Sequence, residues 1–152
     1  MKIFFVILFL TNNLILFSQW EPSDLVLSKK IKELDKIYDS NYDIIKTDFN
    51  SNYFNIIIDN KQTGYLCLRQ APSKHDVFDY MLIFDNDLNI DHIKILAYRE
   101  DWGGEIRSKR WLKQFSNREI EDVQAISGAT ISVNSLKTDI SKLKSEMSKW
   151  LK

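Results

Sequence analysis

The chain has 152 residues, with 21 basic and 21 acidic side chains and a formal net charge of zero. That length is one domain's worth, and the charge balance removes the broad electrostatic case for a nucleic-acid or anionic-membrane partner. One Cys and two His exclude an internal disulfide and a His-rich metal site, and 44% apolar residues suffice for a core.

Lys2 precedes the apolar run Ile3–Leu10, which Thr11-Asn12-Asn13 interrupt and Leu14–Phe17 resume. A positive start and a short apolar stretch form the layout of a secretory signal peptide. A spanning helix needs roughly 20 mostly apolar residues, more than this broken run provides. The expected organisation is a signal peptide at 1–18, cleaved after Ser18, and one domain at 19–152. An exported, periplasmic or extracytoplasmic protein follows, with a retained anchor as the alternative. Cys67, unable to pair within the chain, is expected to be buried in a strand.

Pro22-Ser23-Asp24 opens a first helix, with Ser or Asp as its cap. Leu27, Ile31, Leu34 and Tyr38 recur at helical spacing, and Lys29, Lys30, Lys32 and Lys36 read as a solvated face. Tyr53–Asp59 reads as a strand, Asn60–Gly64 as a turn and Tyr65–Leu68 as the return strand. Phe78–Phe84 and Ile93–Tyr98 make two more strands around a turn at Asp85-Asn86-Asp87. That turn begins like a calcium loop, but Ile90 and Leu96 stand where an EF-hand needs Gly and Glu, so a tight hairpin is the reading. His75 and His92 lack a second ligand at a diagnostic spacing and read as ordinary loop or strand residues.

Half of the four glycines sit together at Gly103-Gly104. A short helix follows, with Ile106, Trp111, Leu112 and Phe115 apolar, then a polar connection from Asn117 to Gln124. The last helix runs from about Ser132 to the end. Its stripe of Val133, Leu136, Ile140, Leu143, Met147 and Trp150 faces a core. The order of elements predicts an α+β domain: an antiparallel meander with an N-terminal helix, a short helix after the Gly-Gly loop and a long C-terminal helix.

One segment carries chemistry: Ser127-Gly128-Ala129-Thr130-Ile131-Ser132, directly before that long helix. Small residues let a ligand approach the backbone, and a helix N-terminus presents free N–H groups and a positive dipole end. The residues alone fit a phosphate site near Thr130. They fit a plain Ser/Thr-capped helix as well, with Ser132 as a cap.

Ser127-Gly128-Ala129-Thr130 resembles the S-G-A-T motif of the FMN-binding domain family. That family includes flavin-carrying subunits of the sodium-pumping NADH:quinone reductase and related membrane complexes. The resemblance extends over most of the mature chain and is strongest from Tyr98–Ile106 through Trp111–Phe115 to Ile140. It implies FMN joined covalently to Thr130 by a phosphoester, made by a magnesium-dependent FAD:protein FMN transferase. It also implies redox partner proteins, membrane electron-transfer components among them. Gly128 and Ala129 would supply clearance around the acceptor hydroxyl. The loop with Gly103 and Gly104 would lie near the flavin ring, with Trp102 and Tyr98 as stacking surfaces. Glu100 and Glu105 are candidate polar contacts, and Lys109 and Arg110 candidate phosphate partners. One departure stands out: the family pattern usually has Asp three residues before the Ser, where this chain has Gln124, and Asp122 comes two residues too early.

Three readings follow. The first is an exported flavoprotein electron carrier without turnover of its own. The second is a module holding FMN or another phosphate ligand noncovalently. The third is a small flavin-dependent reductase.

Overall fold

The computed structural model describes residues 20–152. The expected signal peptide lies outside the described residues. Among the described residues no helix is long and apolar enough to cross a membrane.

Helix α1 (Asp24–Tyr38) begins at Ser23, whose hydroxyl accepts the Val26 amide. Its buried positions are Val26, Lys30, Glu33 and Leu34, while Ile31 is exposed. The buried stripe is thus rotated from the expected one. Lys30 belongs to it rather than to the solvated face: its ammonium lies 4.8 Å from the Phe54 ring centroid.

The sheet is the expected antiparallel meander, with one more strand. Strands β1 (Asp43–Lys46), β2 (Tyr53–Ile58), β3 (Lys61–Pro72), β4 (Val77–Asp85) and β5 (Ile90–Ala97) pair in sequence order. Asp59 and Asn60 both take positive φ, 51° and 61°, the two-residue geometry that matches strand twist in a hairpin. β3 therefore begins at Lys61, four residues before the expected return strand. Thr63 is the extra residue between the pairs Ile57–Gln62 and Ile56–Gly64, a bulge. A Cβ on Gly64 would stand 2.1 Å from the Phe84 carbonyl oxygen, so only glycine lets β3 and β4 close there.

Side-chain alternation in β3 and β4 serves two cores. Leu66, Leu68, Met81 and Ile83 pack towards α1 with Val26 and Leu34. Tyr65, Cys67, Tyr80, Leu82 and Phe84 pack on the opposite face with the C-terminal helix. Cys67 is buried, as expected, and burial pushes its thiol pKa up. The Asp85 carboxylate closes the next turn by accepting the Asp87 and Asn89 amides.

After β5 the expected single short helix is broken into turns. A 3-10 turn at Gly104–Arg107 leads to α2 (Lys109–Leu112), α3 (Gln114–Asn117) and a 3-10 turn at Ile120–Asp122. Ile106, Trp111, Leu112, Phe115 and Ile120 still reach the core. Helix α4 (Thr130–Trp150) spans 21 residues. Five of its expected core residues, Val133 to Met147, are buried, and Trp150 stacks on Phe49 at 5.3 Å.

A polar clamp fixes α4 on the sheet. Arg69 of β3 makes a forked ion pair with Asp139, its Nε at 3.0 Å from one carboxylate oxygen. That oxygen also accepts the Tyr80 hydroxyl at 2.6 Å, and Arg69 donates to the Tyr53 hydroxyl at 2.6 Å. Breaking a shielded pair leaves its partner uncompensated. Asp139→Ala should cost about 3 kcal/mol in urea unfolding, and Arg69→Met with Asp139→Leu should recover part of it. Equal stability of Asp139→Ala and wild type would show the clamp to be ornamental.

Candidate functional site

The head of α4 is open. Gly128 has φ +82°, and a Cβ there would meet nothing within 4 Å. Ala129 occupies the cap position, and no side chain caps the helix. Thr130 is its first residue and is exposed, as is Ser127. The uncapped amides and the helix dipole favour an anion at this end. Ser132, a candidate cap, is buried within the first turn instead. Its hydroxyl lies 3.1 Å from that of Tyr98, which donates to the Trp102 carbonyl at 3.1 Å. With the single Tyr98 proton so engaged, Ser132 is the donor to Tyr98. Ala129 is buried as well, so clearance around Thr130 comes from Gly128.

The two glycine motifs meet. Gly103 has φ +78°, and a Cβ on it would stand 2.9 Å from the Tyr98 hydroxyl, 3.0 Å from the Ala129 Cβ and 3.2 Å from the Gly128 carbonyl oxygen. Glycine is required at 103 for both backbone conformation and space. Tyr98 also packs on Phe78, with centroids 5.9 Å apart, which makes it a fixed wall. Trp102 is 83% exposed, so it does not close the core edge. Among the described residues its ring pairs with no other aromatic ring.

A cavity of about 320 Å³ joins these parts, with Trp102, Tyr98 and Glu100 on one side and residues 128–132 on the other. Lys74 and His75 complete its lining; neither was anticipated as a site residue. Glu100 explains their presence. One of its carboxylate oxygens accepts the Ser73 hydroxyl at 2.6 Å, the His75 amide at 2.6 Å and the Asp76 amide at 3.2 Å. The Ser73 hydroxyl, then the His75 amide, holds that carboxyl below its ordinary pKa. Glu100 thus latches the β3–β4 turn that carries Lys74 and His75.

Other candidates lie apart from this cavity. Gly104 opens the 3-10 turn and faces the Arg107 guanidinium. Glu105 is exposed on the same turn, and Arg110 is exposed on α2. Neither lines the cavity. Lys109 borders a different hollow, beside Glu33 and His92. Gln124 is held by its backbone: its carbonyl accepts the Trp111 indole at 2.7 Å, and its amide donates to the Gln114 side chain at 3.1 Å.

The residues present suit a flat aromatic ligand that bears a phosphate. The open helix end offers N–H groups and Lys74 a cation, while Trp102 offers a free π-face. The volume is at the low end of ligand pockets, ~300–1,000 Å³, so such a ligand keeps an edge in solvent. The family model described as FMN-binding domain matches residues 74–143. Over that segment the chain is similar to the FMN-binding domain family, and the match supports a flavin-binding function. The matched segment begins at Lys74 and leaves out α1 to β3, a shorter span than the motifs implied. No curated protein matches the chain.

Gly128→Ala should cost only the strain of positive φ, ~1–2 kcal/mol. Gly103→Ala should cost more, because the two loops must also part. Urea unfolding and FMN titration measure both, and equal losses would show that space at 103 is immaterial. Glu100→Gln should raise hydrogen exchange at the His75 and Asp76 amides at neutral pH. Because the folded pKa is depressed, protection in the wild type is present above the ordinary Glu value, ~4.3. It should fade as pH drops through the lower folded value. Unchanged protection in Glu100→Gln would remove the latch.

Proposed function

We propose that the protein is an exported electron carrier with FMN attached through a phosphoester to Thr130 by an FAD:protein FMN transferase. The observation that carries this reading is the placement of Thr130. Its hydroxyl belongs to an exposed first residue of an uncapped helix, beside a glycine with open space around it. An acceptor must reach the diphosphate of a bulky dinucleotide, and this position is uncrowded. In the transfer the Thr130 Oγ–P bond forms, the bridging P–O bond of FAD breaks and AMP leaves. The transferase takes up the hydroxyl proton. The product phosphate then stays at the positive end of α4.

Bound FMN supplies exchange of one or two electrons. The chain's own residues hold and orient it. The α4 amides and Lys74 would hold the phosphate, and Trp102 would offer its face to the ring. Partner proteins on either side would reduce and oxidise it, membrane electron-transfer components among them. Export rests on the leader pattern of residues 1–18.

Intact mass of the mature protein, co-expressed and exported with an FAD:protein FMN transferase, tests the reading. One FMN less one water should be added, mapped to the peptide holding Thr130. Thr130→Ala should abolish both that mass and the flavin fluorescence retained after denaturation. Position 124 favours a second reading, in which the domain holds FMN noncovalently because the carboxylate usual there is missing. On that reading Thr130→Ala keeps its FMN affinity, and Gln124→Asp installs the covalent bond.

A further inference from the structure

The cavity at the head of α4 shares a wall with a larger hollow: Tyr98 lines both. This second hollow, about 530 Å³, lies between α1 and β5, an edge strand of the sheet. Lys29, Lys32, Lys36, Lys94, Arg99 and Arg107 border it. Glu33 is the acidic residue among its lining, 3.9 Å from Lys36 and 3.8 Å from Lys94. Asp79, buried behind, holds Arg99 at 2.5 Å. Six cations therefore face two carboxylates. Lys29 donates to the Leu96 carbonyl at 2.8 Å and Arg107 to the Gly104 carbonyl at 3.3 Å, bonds that leave their charges in place. Among the described residues no carboxylate pairs with Lys29, Lys32 or Arg107.

The chain as a whole is neutral, so this is a separation of charge and not a general basic character. A concave surface lined by one sign of charge focuses its field and steers an oppositely charged partner. Leu25, 60% exposed on the border, adds an apolar contact.

We infer that this hollow docks an acidic segment of the protein that exchanges electrons with the flavin, an inference that rests on the carrier reading. Its shape decides between anionic occupants. A bilayer surface is flat and meets protruding cations, whereas an acidic chain segment can follow the hollow to β5. A partner seated there lies against the other side of the Tyr98 wall. The docking surface and the flavin cavity are thus two faces of one residue.

The first test needs no flavin. Fluorescein-labelled poly-L-glutamate is titrated against the flavin-free mature protein and followed by anisotropy at low and physiological salt. Binding should weaken with salt, as the screening length falls to ~8 Å. Lys32→Glu with Arg107→Glu should weaken it roughly tenfold. Lys61→Glu with Lys149→Glu, an equal charge change elsewhere on the surface, should not. Equal losses in the two double variants would overturn the docking site. Binding to vesicles of one part phosphatidylglycerol to three parts phosphatidylcholine, without binding to the peptide, would overturn it in favour of a membrane.

The second test uses the flavin-loaded protein after two-electron reduction. Two ferricyanide ions accept the two electrons of each flavin, and the flavin protons pass to water. The groove double variant should slow this reaction roughly tenfold and accelerate the reaction with cationic hexaammineruthenium(III). Unchanged rates would detach the hollow from electron exchange. Failure of the carrier reading shows itself separately, as an unmodified Thr130 peptide, and leaves the peptide-binding result intact.

Discussion

The forked pair between Arg69 and Asp139 is the constraint on which the site's geometry rests. α4 lies on the sheet through an apolar stripe, and apolar stripes tolerate sliding. A slide of one turn moves a helix by 5.4 Å and would carry Thr130 away from Gly103. The clamp forbids that slide, because one arginine fork meets one carboxylate in one orientation. The Tyr80 hydroxyl closes on the same carboxylate, and the Tyr53 hydroxyl on the same guanidinium. Burial raises both phenols, Tyr53 to about 12, so both stay neutral through the physiological range, Tyr80 as a donor and Tyr53 as an acceptor. The value of such a network lies in register more than in net stability, since removing charges from water offsets much of their attraction.

Register set at Asp139 is read out at the other end of α4. The loop before the helix must cross the loop after β5 at near-contact distance, and Gly103 is the point of crossing. Tyr98 lies beneath that crossing. It is packed on Phe78, bonded to Trp102 and to Ser132, and shared between the flavin cavity and the basic hollow. Glu100, two residues further on, returns to the β3–β4 turn. A stretch of a few residues after β5 therefore ties together the sheet, the helix head and the loop that supplies Lys74 and His75.

The parts of this arrangement differ in how plainly the sequence announces them. The α4 stripe and the aromatic, branched strands β2 to β5 are periodic, and period is the signal that survives in a single sequence. β1 has only Ile44 and Ile45 between charged residues and lies at an edge, mostly exposed, so it carries almost no pattern. β3 is longer than its apolar part because Asp59-Asn60 makes the turn and the polar Lys61–Thr63 continues the strand. The S-G-A-T segment marks the open loop, but it does not distinguish a cap role of Ser132 from its buried bond to Tyr98. Lys74 and His75 reach the cavity through a long-range latch to Glu100, a contact across 25 positions for His75 that no local spacing encodes. Lys109 and Arg110 lie apart from the cavity for the complementary reason: they are near Gly104 in sequence, but the turn at Gly104–Arg107 directs α2 elsewhere.

An open site sets two requirements against each other. Exchange of electrons between proteins needs the flavin edge close to the surface, and Trp102, fully displayed, borders a cavity small enough to leave that edge in water. Retention needs burial, since tight pockets enclose ~70–90% of a ligand's surface. A noncovalent FMN in this cavity would be accessible and readily lost. The proposed phosphoester at Thr130 would remove the conflict, because retention would then no longer depend on enclosure. The cavity would then be free to stay shallow, and Tyr98 could be a thin wall between cofactor and the proposed partner. On the proposed reading, the open cap of α4, the small cavity and the charged hollow behind Tyr98 would answer one demand: a tethered flavin must be reachable.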